Sequence, residues 1–172
     1  PMYQPKTNLT NEVIAAYYID QFSVNITGIR YMHVYGAGVR RGFFATILQE
    51  LITNPALGKP GRVPHGDAII GWSYVDDPAR ATVMASKVLN ARTKSYSIMG
   101  DVHSVKEAAD YVRELLPGAD IAVLPGGFTG DPVKFDTSLI EKEIGYRPQW
   151  SMERGLKEVI NLTRKEHDLP PI

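Results

Sequence analysis

Cysteine is missing altogether from the 172 residues, which excludes a disulfide framework, a thiolate metal site and a cysteine nucleophile. The four histidines, His33, His65, His103 and His167, are scattered along the chain, and their spacing points to no metal. Neither sign of charge is in excess. Nineteen Lys and Arg balance nineteen Asp and Glu, which argues against nucleic acid, an anionic membrane or a strongly acidic partner. No apolar run approaches the roughly 20 residues of a membrane span, and the N-terminus lacks the basic-then-apolar pattern of a signal peptide. The expectation is a cytoplasmic, metal-free protein whose partners are small molecules or other proteins.

What is present is a hydrophobic content of 44%, enough for a genuine core in one domain of ordinary size. Helix and strand signals alternate without repeats or low-complexity tracts, which predicts an α/β chain. The first helix is expected from about Asn8 to Phe22. Leu9, Val13, Ala16 and Tyr17 fall on one face and Ile14, Tyr18 and Phe22 on another, so burial on two sides is implied. The run Asn25 to Tyr35 reads as one buried strand ending in the Gly36-Ala37-Gly38 turn. A helix from about Gly42 to Asn54 follows, stopped by Pro55.

Further on, Trp72 to Val75 reads as a strand, with Asp77 as N-cap and Pro78 opening a helix to about Asn90. Ser95 to Met99 is a short strand, and Asp101 and His103 are expected in an exposed loop. Ser104 and Glu107 form a capping box for a helix through about Leu116. Ile121 to Leu124 is a strand closed by Pro125-Gly126-Gly127. Gly145 ends a short helix capped near Phe135 to Ser138, and Ser151 caps the last one, to about His167. Pro1 ahead of Met2 suggests that the natural chain begins at Met2.

The stretches Ile29-Arg30 with Val34-Tyr35-Gly36, Tyr74-Val75-Asp76-Asp77, Tyr96-Ser97-Ile98-Met99-Gly100, Asp136-Thr137 and Ile144-Gly145-Tyr146-Arg147-Pro148 form a specific series in this order. It resembles the C-terminal half of the extended short-chain dehydrogenase/reductases, the NAD-dependent epimerase/dehydratases. The resemblance implies a partial Rossmann-like, doubly wound sheet plus a small C-terminal substrate domain. Residues 1–172 are then one compact α/β unit, with 1–36 and 67–105 Rossmann-like and 37–66 and 106–172 substrate-domain-like. NAD or NADP is implied by the resemblance alone. The family's Gly-rich pyrophosphate turn lies in the other half and has no counterpart here.

Site residues follow from the same resemblance. The family's general acid/base tyrosine and its lysine, counted back from Glu12, fall on Gln4 and Asn8, while Tyr3 and Lys6 stand close by as the candidate catalytic pair. They are three residues apart with Pro5 between them, and a frayed N-terminal extension is the competing expectation. Tyr35 and Gly36 are expected beside the nicotinamide, and His33, Phe43, Phe44, Trp72 and Tyr74 near the substrate. The family's pyrophosphate-gripping arginines are replaced by Ile70 and, before Asp136, by Val133-Lys134-Phe135. This points to a smaller sugar, sugar acid or hydroxy compound. The loop Gly36 to Gly42 offers a rival dinucleotide site, although its G-x-G-x-x-x-G spacing is one residue too long. Asp76 and Asp77 are expected to serve structure rather than catalysis.

Without the family's other half, the strand before Gly36 would keep an open edge and the first helix an uncovered apolar surface. A homo-oligomer, a dimer in the first instance, is therefore expected. Three roles remain open on the sequence: a substrate-binding half of an epimerase or dehydrogenase that is not redox-competent alone, a binding module for a sugar or nucleotide, or an oligomeric interaction protein.

Overall fold

His33 divides the chain. The computed structural model describes residues 3–39, 41–88, 95–127 and 135–172, and within it the expected single strand before Gly36 is two, β1 (Gly28–Tyr31) and β2 (Val34–Tyr35). His33 sits between them with φ 41°, a left-handed conformation uncommon for a residue with a side chain. The turn sends the two strands to different sheets. β1 pairs in parallel with β5 (Ser95–Ile98), whereas β2 pairs in parallel with β4 (Ile69–Tyr74). β4 also pairs antiparallel with β6 (Asp101–Ser104). β3 (Gly61–Val63) and β7 (Ile121–Val123) form a separate parallel pair.

Asp101 and His103 thus belong to a strand rather than to an exposed loop. Asp101 is half-buried, and its carboxylate accepts the Met152 backbone N–H at 2.9 Å.

Helix α1 runs from Tyr3 to Phe22, so the chain from Tyr3 onwards is helical rather than a frayed extension. Pro5 fits because the first turn of a helix has no use for its missing N–H. α2 (Phe43–Leu48) passes directly into a π-helical turn, Gln49–Thr53, and then α3 (Asn54–Ala56). Pro55 therefore does not stop the helix. Its ring would clash with the carbonyl four residues back in a regular α-helix, and the wider π turn relieves that conflict.

Local end signals are well obeyed elsewhere. α5 (Val105–Leu115) opens on the complete Ser104/Glu107 capping box. α6 (Ser138–Ile144) ends at left-handed Gly145, and α7 (Met152–Glu166) starts where Ser151 accepts the Arg154 N–H.

α4 (Asp76–Ser86) departs from expectation at its start, because no side chain caps it and Pro78 lies inside the first turn. Asp77 is not the N-cap. It is buried, 3% exposed, and its carboxylate accepts the N–H groups of Gln149 and Trp150 while pairing with Arg80 at 2.9 Å. Its role is structural, as expected, but over a long range.

Apolar side chains gather in two clusters. The larger combines β2, β4, α2 and its π turn, α5 and α7, with Trp72, Leu51, Ile52, Val112 and Leu156 at its centre. The smaller combines Ala81, Tyr96, Ile98, Ile140 and Tyr146, with Ile29 packed against it. The Asp77 carboxylate ties α4, which contributes Ala81 to the smaller cluster, to the segment that leads into α7.

Candidate active site at the aromatic cluster and its neighbouring cleft

Five residues singled out by the sequence meet as a ladder of rings. His33 lies 5.6 Å from Phe44, Phe44 5.7 Å from Trp72, and Trp72 5.6 Å from Tyr35, which contacts Tyr74 at 5.7 Å. Trp150 continues it 4.1 Å from Tyr74, with the Arg154 guanidinium 3.7 Å above the Trp150 ring. The tilted and edge-on geometries are those that ring quadrupoles favour. Strand alternation accounts for part of this, since Trp72 and Tyr74 point to the same face of β4.

Exposure divides the set. Trp72 and Tyr35 are 0% exposed, so they shape the region from beneath. His33 and Phe44 are half-buried and reach towards the surface. Burial lowers the His33 pKa and favours its neutral imidazole. Burial also raises the Tyr35 pKa, and its hydroxyl donates to the Met152 carbonyl at 3.1 Å. Trp72 Nε1–H donates to the His103 carbonyl at 3.2 Å. Tyr3, Lys6 and Phe43 lie on helical backbone, but their side chains fall outside the described residues. So do Val133 and Lys134.

Beside the ladder is a cleft of about 690 Å³ between α2 and α7. Tyr35 and Gly36 form part of its wall, and Thr46, Gln49, Thr53 and Thr163 contribute polar groups that the sequence reading missed. The spacing of Thr46, Gln49 and Thr53, three and then four residues, was the available signal for a polar helical stripe.

The loop from Gly36 to Gly42 does follow a strand and precede a helix. A dinucleotide fold requires the next strand to lie parallel and adjacent in the same sheet. Here β2 pairs in parallel with β4, whereas β3, the strand next in sequence, pairs with β7 in a separate sheet. Among the described residues no group of three or more His, Asp or Glu side chains comes together as a metal site. Nor is any described helix long and apolar enough to cross a membrane.

Comparison with known proteins agrees with the topology. No curated protein matches the sequence. Among solved structures, a partial consensus L-threonine 3-dehydrogenase is 20% identical, with a TM-score of 0.78 over 90% of this chain and 54% of its own. A UDP-glucuronic acid 4-epimerase from Bacillus cereus, in complex with UDP-glucuronic acid and NAD, is 22% identical, with a TM-score of 0.74 over 92% and 51%. A UDP-glucose 4-epimerase from Thermotoga maritima, with UDP-glucose, is 21% identical, with a TM-score of 0.74 over 92% and 52%. The chain therefore spans about half the length of the structures it matches. They share its Rossmann-like α/β fold. The sequence profile of the NAD dependent epimerase/dehydratase family matches residues 6–98, more than half of the chain, and the protein belongs to that family.

Proposed function

We propose that this chain is the substrate-binding half of a sugar-active NAD(P)-dependent epimerase or dehydrogenase, and that it performs redox chemistry only together with a Gly-rich nucleotide-binding half. The observation that carries this reading is the uncovered side of β1 and α1. Among the described residues, β1 and β5 pair only with each other, leaving both outer edges of a two-stranded parallel sheet unpaired. Parallel sheets are ordinarily buried on both faces and continued by further strands. Beside it, Leu9, Val13, Ile14, Tyr17, Tyr18 and Phe22 of α1 are all exposed, Leu9 at 64% and Phe22 at 61%. The Glu12–Arg30 ion pair bridges α1 to β1. A nucleotide-binding half would supply both the missing strands and the cover for α1.

The loop from Gly36 to Gly42 is one residue longer than the dinucleotide fingerprint, and β3, the strand next in sequence, lies in another sheet, which supports a dinucleotide site completed by the other half. Tyr35 and Gly36 are left as a nicotinamide-side wall. His33, Phe43, Phe44, Trp72 and Tyr74 are the substrate-side group, with Tyr3 and Lys6 as the catalytic pair. Complexes of similar proteins with UDP-sugars and NAD support a sugar ligand. Burial of Ile70 where an arginine would grip pyrophosphate supports a smaller sugar or hydroxy compound.

The exposed α1 face also favours a second reading, self-association through α1. Mixing the chain with a separately produced nucleotide-binding half of a family member, followed by light scattering and NAD turnover with sugar substrates, tests both. A one-to-one complex with turnover supports the main reading. A stable homodimer that ignores the added half supports the second and contradicts the first.

A further inference from the structure

The two sides of α2 have different chemistry. Phe44, Ile47 and Leu51 face the core, whereas Ala45, Thr46, Gln49 and Thr53 turn towards α7 and line the 690 Å³ cleft with Val159 and Thr163. The π-helical turn Gln49–Thr53 sits within this wall. Such turns shift the side chains that follow them and recur at functional sites. On the opposite rim, Gly38 and Gly42 hold φ of 93° and 88°, and nothing lies within 4 Å of where a Cβ would be.

The lining specifies a ligand class. Thr46, Thr53 and Thr163 offer hydroxyls that both donate and accept, and Gln49, whose Nε2 donates to Asn54 Oδ1 at 2.8 Å, offers its amide oxygen as an acceptor. Leu48, Ile52 and Val159 provide an apolar floor. Arg41 lies on the loop before α2, and Glu166 lies at the C-terminal end of α7. Arg164, in that same final turn, bonds to Ala56 at the far end of the α2–α3 rod. The two opposite charges therefore stand towards opposite ends of the cleft, and the polar groups between them are neutral. The volume is within the range of small-molecule sites.

We infer that this cleft is a binding site for a neutral polyhydroxyl compound of hexose size. It lies on the side of α2 away from Phe44, with Tyr35 in its wall, and its lining residues all belong to this chain. The inference therefore stands whether or not a nucleotide-binding half docks at β1.

The test is a backbone-amide NMR titration of the chain alone with D-glucose, D-galactose and myo-inositol, each to about 100 mM, and with sodium phosphate as the anionic probe. Saturable shifts for at least one polyol, confined to Gly36–Gly38, Thr46, Gln49, Thr53 and Thr163, are expected. The near-isosteric Thr46→Val and Thr53→Val substitutions should each weaken that binding at least threefold, with the rest of the spectrum unchanged. Lys157→Ala, outside the cleft on α7, should leave it unchanged. The inference is overturned by no saturable shift with any polyol, by shifts with phosphate alone, or by polyol shifts centred on His33 and Phe44. It also fails if both threonine variants fold normally and bind unchanged.

Discussion

The carboxylate of Asp77 holds the backbone of Trp150, its Oδ2 accepting the Trp150 N–H at 3.0 Å across 73 residues of sequence. The same group accepts from Gln149 and pairs with Arg80. Replacing Asp77 with Ala strands these buried N–H groups and the guanidinium together. The expected loss is about 3 kcal/mol of stability, against about 1–2 kcal/mol for Asp77→Asn, which keeps one acceptor. Urea unfolding measures both, and equal losses in the two variants would contradict this account of Asp77.

Gly155 is the second fixed point. A Cβ there would overlap the Tyr35 hydroxyl. Gly155→Ala is expected to cost about 2 kcal/mol through overpacking. Part of that loss should return in the Gly155→Ala/Tyr35→Phe double variant, because the obstructing oxygen is gone. Strict additivity in the double-mutant cycle would show that the two positions do not press on each other.

Acid sensitivity is expected at the start of α5. Hydrogen bonds from the Ser104 backbone N–H and then its hydroxyl hold the Glu107 carboxyl below its ordinary pKa of 4.5. A lowered folded-state pKa means that this contribution is present above the unfolded value and lost as pH falls through the folded one. Ser104→Ala should cost about 1 kcal/mol at neutral pH. The gap between the two proteins should narrow below about pH 4.5, the ordinary carboxylate range. A gap that widened on acidification would contradict the capping box as its source.

The apolar face of α1 gives a prediction about assembly. Val13→Glu with Tyr17→Glu places two charges on a surface expected to be buried by a partner. Light scattering should show the mass falling towards the monomer, and docking of a nucleotide-binding half should weaken at least tenfold. Unchanged assembly would mean that α1 is not the contact.

Features set by a few neighbouring residues were legible in the sequence. Ser104 with Glu107, Ser151 and Gly145 satisfy helix ends locally, and the structure places all three as read. Features set by distant partners were not. The break at His33 is imposed by strands that pair with β5 and β4, far along the chain. β6 is only Asp-Val-His-Ser, too short and polar to show alternation, and becomes a strand because β4 lies beside it. Asp77 read as an N-cap because it precedes a proline, whereas its partners lie more than 70 residues away. In the candidate site, the aromatic residues were named through the family resemblance. The Thr46, Gln49 and Thr53 stripe did not, because three polar residues at helical spacing look like any solvated helix face.

The central claim is that this chain does not form a dinucleotide site alone. Calorimetric titration of the purified chain with NAD, NADH, NADP and NADPH, with its mass measured by light scattering in the same buffer, tests it most directly. The account predicts no saturable heat with any of the four at micromolar concentration, and binding only after a nucleotide-binding half is added. One-to-one binding at micromolar strength by the chain alone would contradict it.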